Sequence, residues 1–324
     1  MSHQQQFAFV FPGQGSQSVG MLESWSAHSQ VKLTLEEASH ALGEDLQALI
    51  AQGPKETLAL TTHTQPVMLA ADVAIYRAWI ADGGEPPVAV AGHSLGEYAA
   101  LVAAGVMSLS QAIPLVRFRA QAMQEAVAVG AGGMAAILGM DAQLVTQTCH
   151  ELTQSSTAQS AQEVVEAVNF NDPLQTVIAG NKALVDMACQ VLKEKGAKRA
   201  LLLPVSAPFH SSLMRPAANR LKERLAQIEF DTPVIPIINN VDVASYSQAD
   251  KIKDALYRQA FMPVRWVECV QALKSLGVSL VVECGPGQVL SGLTKRIDAS
   301  LESASLKDHT GLQSLKDLLK SSSS

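Results

Sequence analysis

The chain has 324 residues, 48% of them hydrophobic and 17% charged, and its formal net charge is -6. This length fits one large domain with a smaller one, and the composition is typical of a protein with a large buried core. The negative charge argues against nucleic acid as the main partner, and no apolar run is long enough to cross a membrane. Residues 1–6 are polar and lack signal-peptide character, so we expect a cytoplasmic protein.

The cysteines are scattered along the chain and do not have the paired spacing of metal ligands. They are Cys149, Cys189, Cys269 and Cys284. In a cytoplasmic protein, cysteines in such a pattern are expected to be free thiols. We therefore predict no metal site.

Residues 1–131 are predicted to form the first part of a large α/β subdomain. Short apolar runs at 7–11 and 87–91 predict buried strands. The predicted helices of this part are 34–52, 68–81, 97–105 and 109–129.

Residues 132–206 are predicted to form an inserted small subdomain. The predicted strands are 134–138, 164–168, 176–179 and 199–205, and the predicted helices are 141–152 and 182–195. Their order, βαββαβ, is that of a ferredoxin-like fold. The Ser/Thr/Gln-rich segment 153–162 is expected to be a mobile loop.

Residues 207–312 are predicted to complete the large subdomain, and 313–324 to form a C-terminal tail that is disordered at 321–324. The predicted helices are 213–228, 252–261 and 267–276, and the predicted strands are 234–239 and 280–284. Strands that alternate with helices imply a mostly parallel sheet covered on both faces. The predicted fold class is therefore α/β.

The segment Gly92-His93-Ser94-Leu95-Gly96 has the spacing of a nucleophile elbow. It lies between a predicted strand and a predicted helix, which is the context that this motif requires. Glycines allow close backbone approach and leave the serine hydroxyl at the carboxyl end of the strand. The amino terminus of the following helix favours negative charge there.

A serine nucleophile needs a base, and His210 is the best-placed histidine because it follows a predicted strand end. A histidine that caps the next helix is the alternative interpretation. His63 is also possible, whereas His93 is expected to point away from its neighbour Ser94. No acidic residue is placed as a third triad member, so we expect a backbone carbonyl to orient the imidazole.

Arg119 and Gln14 are further candidates. Arg119 lies in an otherwise apolar helix, and its guanidinium matches a carboxylate in two parallel hydrogen bonds. A solvated face or an ion pair with Glu125 or another acid is the alternative. Gln14 lies in a Gly-Gln-Gly turn whose backbone N–H groups suit an oxyanion hole, although an ordinary tight turn has the same pattern.

Together these motifs resemble those of the malonyl-CoA:acyl carrier protein transacylases of bacterial fatty acid synthesis. The main matches are Phe11-Pro12-Gly13-Gln14-Gly15-Ser16-Gln17, Gly92-His93-Ser94-Leu95-Gly96-Glu97-Tyr98 and Gly285-Pro286-Gly287, with shorter ones at 64–66, 123–126, 168–171, 239–243 and 292–296. They occur in order from residue 7 to about 297. The resemblance implies a hydrolase-like large subdomain with a ferredoxin-like insert.

The resemblance also implies a role for each candidate. Ser94 would carry the malonyl group, His210 would be the base, and Arg119 would bind the malonyl carboxylate. The other implied roles are backbone oxyanion donors at Gln14 and Leu95, a carbonyl at Gln259 that holds the histidine ring, and pocket positions at Gln65, His93, Asn169 and Asn171. The implied substrates are malonyl-CoA and an acidic acyl carrier protein, without a cofactor, and we expect a monomer.

Two surface patches could attract an acidic carrier protein. The first patch contains Lys193, Lys195, Lys198 and Arg199, and the second contains Lys295 and Arg296. A solvated helix end is the alternative for both. A serine hydrolase or thioesterase, and a non-catalytic docking domain for acyl carriers, are the competing functions.

Overall fold

A computed structural model describes residues 5–158, 163–205 and 207–321. Its strands are β1 (Phe7–Phe11), β2 (Ala89–Gly92), β3 (Gly132–Leu138), β4 (Val165–Asp172), β5 (Gln175–Asn181), β6 (Arg199–Leu202), β7 (Ile237–Ile238), β8 (Leu280–Glu283) and β9 (Glu302–Ser305). Its helices are α1 (Ser29–Leu42), α2 (Leu46–Gln52), α3 (Lys55–Ala59), α4 (Thr61–Ala81), α5 (Gly96–Ala103), α6 (Leu109–Glu125), α7 (Ala142–Ala158), α8 (Lys182–Glu194), α9 (Arg215–Ala226), α10 (Ala249–Gln259), α11 (Trp266–Ser275), α12 (Val289–Ile297) and α13 (His309–Ser321).

The larger sheet is parallel and has the order β7-β2-β1-β8-β9. Its central strand β1 is apolar on both faces because helices cover both. Phe7, Phe9 and Phe11 pack with residues of α1, α4 and α6, whereas Ala8 and Val10 pack with residues of α11 and α12. The predicted α/β class with a mostly parallel sheet is confirmed.

The smaller sheet is antiparallel and has the order β4-β5-β3-β6. This is the strand order of a ferredoxin-like βαββαβ unit, and α7 and α8 cover one face of the sheet. The four strands lie within residues 132–202. The subdomain boundaries at 131/132 and 206/207 stay a prediction.

Several local expectations differ from the structure. The predicted helix 34–52 is two helices, because Gly43 adopts a left-handed conformation and the Asp45 side chain caps α2. Helix α7 extends to Ala158, so the first half of the expected loop 153–162 is helical, and 159–162 lie outside the described residues.

The C-terminal region also differs from the prediction. Neither α12 nor β9 was predicted, and α13 occupies most of the segment assigned to a tail. Leu312 and Leu315 of α13 are buried in the main core, so this segment packs on the large subdomain. The last predicted disordered residues, 322–324, lie outside the described residues.

Strand β4 connects the small sheet to the large subdomain. The backbone of Val264 forms a parallel bridge with Asn169, accepting from the Phe170 N–H and donating to the Val168 carbonyl. This pairing brings the outer end of β4 next to the loop that follows β2. Among the described residues, every helix falls short of a membrane span in length or in hydrophobicity.

Candidate active site

The segment between β2 and α5 is the sharp turn that the motif predicts. Ser94 has a φ of 53°, a left-handed conformation that non-glycine residues rarely adopt. A Cβ built on Gly92 would lie 1.9 Å from the carbonyl carbon of Gly96, and one built on Gly96 would lie 2.0 Å from the Phe11 oxygen. Only glycine fits at either position, because β1, β2 and α5 meet there without room for a side chain.

The Ser94 hydroxyl meets an imidazole from a distant part of the chain. Ser94 Oγ lies 2.7 Å from His210 Nε2, and the two residues are 116 positions apart. His210 Nδ1 lies 2.7 Å from the Gln259 carbonyl oxygen. A carbonyl only accepts, so Nδ1 carries the proton and Nε2 is free to accept from the serine hydroxyl. His210 also has a positive φ of 64°, so both members of the pair are conformationally strained.

The surroundings of His210 keep its ring neutral. Burial, assisted by the positive charge of Arg119, lowers the pKa of His210 to about 3. Three acidic residues that follow His210 in the sequence bond elsewhere: Asp242 and Asp254 pair with Arg258, and Glu283 accepts from Ser291. The imidazole is therefore oriented by a backbone carbonyl, as the sequence suggested when no acid could be placed.

Arg119 lies at the same point with a buried guanidinium. It is 2% exposed, and its terminal nitrogens donate to Gln65 Oε1 at 2.8 Å, Gln259 Oε1 at 3.1 Å and Ser94 Oγ at 3.2 Å. Its Nε has no hydrogen-bond partner within the described chain. The alternative ion pair is wrong, because Glu125 pairs with Arg220. A buried cation whose hydrogen-bond partners are neutral has the chemistry to bind a carboxylate.

These groups line a cavity of about 120 Å³. Its polar lining residues are Gln14, Gln65, His93, Ser94, Arg119, Asn169 and His210, and its other lining residues are Leu95, Met123, Met134, Leu203, Val205 and Phe209. A Cβ on Gly13 would lie 2.6 Å from the His93 oxygen and 3.8 Å from the Leu95 nitrogen. The loop after β1 therefore runs alongside the elbow, next to the backbone of His93 and Leu95.

The remaining predicted pocket residues lie where β4 approaches the elbow. His93 Nε2 is 2.8 Å from Asn171 Oδ1, and its ring packs 5.4 Å from the Trp266 ring. Asn169 lines the cavity, and its buried Oδ1 is without a hydrogen-bond partner among the described residues. Of the other candidate histidines, His63 bonds Thr62 on α4.

Sequence reasoning missed two buried residues that contact the elbow, Glu97 and Asn240. Asn240 contacts the Ser94 backbone, and Glu97 accepts a hydrogen bond from the Asn240 backbone. Asn240 lies in the 239–243 segment of the family resemblance, but its role depends on folding across 146 positions. The described part of the chain has no group of three His, Cys, Asp or Glu residues suited to a metal.

A larger groove of about 790 Å³ lies at the opposite, amino ends of β2 and β7. It is lined by apolar residues such as Ile80, Val88 and Val234, together with Tyr76 and Arg77. Its lining contains no pair of nucleophile and base. Chemistry rather than volume therefore selects the smaller cavity as the candidate active site.

An elbow serine bonded to a neutral histidine on an α/β fold is typical of enzymes that transfer or hydrolyse acyl groups. Residues 8–311 match the family model of the acyl transferase domain. A malonyl CoA-acyl carrier protein transacylase of Escherichia coli (strain K12) is 49% identical over 97% of this chain and 99% of that protein. The chain therefore belongs to the acyl transferase family, among the malonyl CoA-acyl carrier protein transacylases, and it is an acyltransferase.

Solved structures agree with this assignment. The acyl-carrier-protein S-malonyltransferase of Burkholderia pseudomallei 1710b has a TM-score of 0.93 and 59% identity, with 98% of this chain and 100% of that chain covered. A malonyl-transacylase in complex with a type II PKS acyl-carrier protein has a TM-score of 0.93 and 48% identity, with 97% and 100% covered.

Because the pKa of His210 is lowered, we expect its ring to stay neutral at pH values well below the ordinary histidine pKa of about 6.5. We expect the His210 signals, recorded by NMR on histidine-labelled enzyme and assigned with His210→Gln, to remain those of the Nδ1–H tautomer down to about pH 5. In the unfolded chain, His210 would bind a proton near its ordinary pKa of about 6.5, whereas in the folded protein the ring stays neutral. Lowering the pH below that value should therefore favour unfolding. A protonation midpoint of His210 near 6.5 would contradict the role of burial.

Proposed function

We propose that this protein transfers the malonyl group of malonyl-CoA to the phosphopantetheine thiol of an acyl carrier protein, through a malonyl ester on Ser94. The single observation that carries the proposal is the environment of Arg119. This buried cation has neutral partners and lies 3.2 Å from the Ser94 hydroxyl. An acyl group bound at Ser94 with a carboxylate at its far end would complete the pairing of the guanidinium.

In the first half-reaction, His210 Nε2 takes the Ser94 proton while the oxygen attacks the thioester carbonyl. The oxyanion is stabilised by the backbone N–H groups of Gln14 and Leu95, each contributing about 2.7–4 kcal/mol in related chemistry. The imidazolium, held by the Gln259 carbonyl, then gives its proton to the departing CoA thiolate. The malonyl group remains as an ester on Ser94.

In the second half-reaction, the carrier thiol gives its proton to His210 and attacks the ester carbonyl. The carrier thioester forms, and Ser94 recovers its proton. Each half-reaction exchanges one acyl–oxygen or acyl–sulfur bond for another without a change in oxidation state. We therefore propose that neither a metal nor a redox cofactor takes part, and that the kinetics are ping-pong.

Two competing functions are less well supported. A hydrolase or thioesterase would have no need of a buried arginine at the nucleophile. Such an enzyme completes its reaction with water and needs no second specific substrate. A non-catalytic docking domain would not need a neutral imidazole at 2.7 Å from a strained serine. The geometry therefore favours transfer.

The direct test is the fate of labelled malonyl-CoA. Wild-type enzyme should gain the malonyl mass on the peptide that contains Ser94, and should lose it on addition of holo acyl carrier protein, with malonyl-carrier as the product. The Ser94→Ala variant should gain no mass. Retained label in Ser94→Ala, or release of free malonate as the main product, would contradict the proposal.

Removing the guanidinium should reduce selectivity. Arg119→Ala should lower kcat/KM for malonyl-CoA by roughly 10- to 100-fold, because a hydrogen bond to a charged group contributes about 1.5–3 kcal/mol. Transfer of acetyl, which has no carboxylate, should fall less, so the malonyl-to-acetyl ratio should decrease. Arg117→Ala is the matched control, since Arg117 lies on the same helix and pairs with Glu44. An unchanged ratio in Arg119→Ala would remove Arg119 from the site.

The structure refines which cations are available to an acidic carrier protein. Lys195 pairs with Glu151, and Arg296 pairs with the buried Asp172, so part of the charge of each patch is offset. The other members of both patches are exposed. They are Lys193, Lys198, Arg199 and Lys295.

Charge reversal should identify the docking patch. Two variants are compared: one changes Lys193, Lys198 and Arg199 to Glu, and the other is Lys295→Glu. The variant altered at the docking patch should have a raised KM for the carrier at low salt, whereas its KM for malonyl-CoA should stay unchanged. Lys32→Glu, outside both patches, is the control. An unchanged carrier KM in both patch variants would show that the carrier docks elsewhere.

A further inference from the structure

Two buried residues behind the elbow, Glu97 and Asn240, have no part in the proposed transfer steps. They form a hydrogen-bonded cluster with the side chain of Gln259. We propose that Asn240 is a positioning residue that holds the strained Ser94 backbone in the reactive conformation, and that Glu97 fixes Asn240 in turn. This inference rests on the proposed role of Ser94 as nucleophile and adds a residue that acts through it.

Asn240 brackets the elbow with its side-chain amide. It is fully buried; its Oδ1 accepts from the Ser94 backbone N–H at 2.8 Å, and its Nδ2 donates to the Gly92 carbonyl at 2.7 Å. The two backbone groups lie two residues apart across the turn. One amide therefore fixes the end of β2 and the nucleophile together.

The orientation of this amide follows from its partners. A backbone N–H can only donate, and a backbone carbonyl can only accept, so the oxygen of Asn240 must face Ser94 and its nitrogen must face Gly92. Rotating the amide by half a turn would oppose donor to donor and acceptor to acceptor. Asparagine at this position therefore has a specific chemical requirement that aspartate does not meet when ionised.

A second clamp holds the other side of the Ser94 residue. Gln259 Nε2 donates to the Ser94 carbonyl at 2.9 Å, and Gln259 Oε1 accepts from Arg119. Glu97 Oε2 joins the two clamps, because it accepts from the Asn240 backbone N–H at 3.0 Å and from Gln259 Nε2 at 2.9 Å. Both backbone polar groups of Ser94 are thus fixed by residues that share one buried carboxylate.

The need for this arrangement follows from the conformation of Ser94. A non-glycine residue with a φ of 53° persists only where its surroundings determine the backbone from several sides. That conformation directs Oγ to within 2.7 Å of His210 Nε2. Relaxation of Ser94 toward a common φ would move the hydroxyl away from the base, and a displacement of about 1 Å can reduce a rate on the order of 10²-fold.

The test compares two adjacent asparagines. Asn240→Asp keeps the volume and the acceptor toward Ser94, but its ionised carboxylate has no donor for Gly92, so the comparison is made at the alkaline end of the pH range in which the enzyme stays folded. Asn239→Asp is the matched control, because Asn239 is also buried and bonds its own turn at Val241, Asp242 and Ala244. Both variants are measured as folded enzyme, with the acylation rate constant from malonyl-CoA expressed per titrated active site.

Asn240→Asp should lower that rate constant by on the order of 10²-fold. KM for malonyl-CoA and the malonyl-to-acetyl ratio should stay unchanged, because Gln65 and Gln259 still hold Arg119. Inactivation by phenylmethanesulfonyl fluoride, which reports on the Ser94 hydroxyl without the malonyl pocket, should slow by the same factor. Asn239→Asp should react as wild type in both assays.

Other outcomes would overturn the inference. Three outcomes would each exclude a clamp by Asn240. They are a wild-type acylation rate per site in folded Asn240→Asp, an equal loss of rate in Asn239→Asp, and an effect of Asn240→Asp on KM alone. If Asn240→Asp does not fold, Glu97→Met takes its place: it keeps a similar size but removes the oxygen that accepts from both the Asn240 backbone N–H and Gln259 Nε2. Both rates should then fall together by roughly 3- to 10-fold, as expected for the loss of buried hydrogen bonds. Wild-type rates in Glu97→Met would overturn the inference. Failure of the transfer proposal is distinguishable from failure of this inference, because in the first case the Ser94→Ala variant would still become acylated.

Discussion

The hydrogen bond between Ser94 Oγ and His210 Nε2, at 2.7 Å, is the interaction on which the rest of the site depends. It joins the carboxyl end of β2 to the segment that follows the small sheet, and both residues adopt left-handed conformations to make it. Strain of this kind is found at functional sites, where packing elsewhere compensates for it. Here the compensation comes from tight packing of β1, β2 and α5 at the elbow, and from the Gln259 carbonyl that fixes the imidazole.

Burial has opposite consequences for the two basic groups in the cavity. It removes the charge from His210 by lowering its pKa, which makes the ring an acceptor for the serine proton. Arg119 stays cationic because a guanidinium does not lose its proton in proteins, so its cost of burial is offset by neutral acceptors. The charge of Arg119 itself helps to keep His210 neutral. In the proposed function, the same cation would also bind the carboxylate of the acyl group.

The sequence predicts the elements whose signals are local. Strand β1 and the elbow were predicted because an apolar run, two glycines and a serine have a fixed spacing that specifies the turn by itself. Strand β9 was missed because Glu302–Ser305 has no apolar pattern, and it forms through pairing with β8. Helix α13 differs from the predicted tail, although Leu312, Leu315, Leu318 and Leu319 recur at the spacing of one helix face; in the structure Leu312 and Leu315 are buried in the main core.

The site divides in the same way. Ser94 follows from a motif, and His210 and Arg119 follow from context and from the family resemblance. Gln259 contributes a backbone carbonyl, which any residue could supply, so the resemblance rather than its side chain identified it. Asn240 gave no signal of its role, because its partners become neighbours only when β7 pairs with β2 in the folded sheet.

The central claim is that Ser94 carries the malonyl group while Arg119 binds its carboxylate. The most direct test is a crystal structure of the malonyl-enzyme, obtained by exposing crystals to malonyl-CoA in the absence of carrier protein. We expect an ester on Ser94 Oγ, its carbonyl oxygen facing the N–H groups of Gln14 and Leu95, and its free carboxylate bonded to the Arg119 guanidinium. An acyl group on another residue, or a malonyl carboxylate directed away from Arg119 into solvent, would contradict the account.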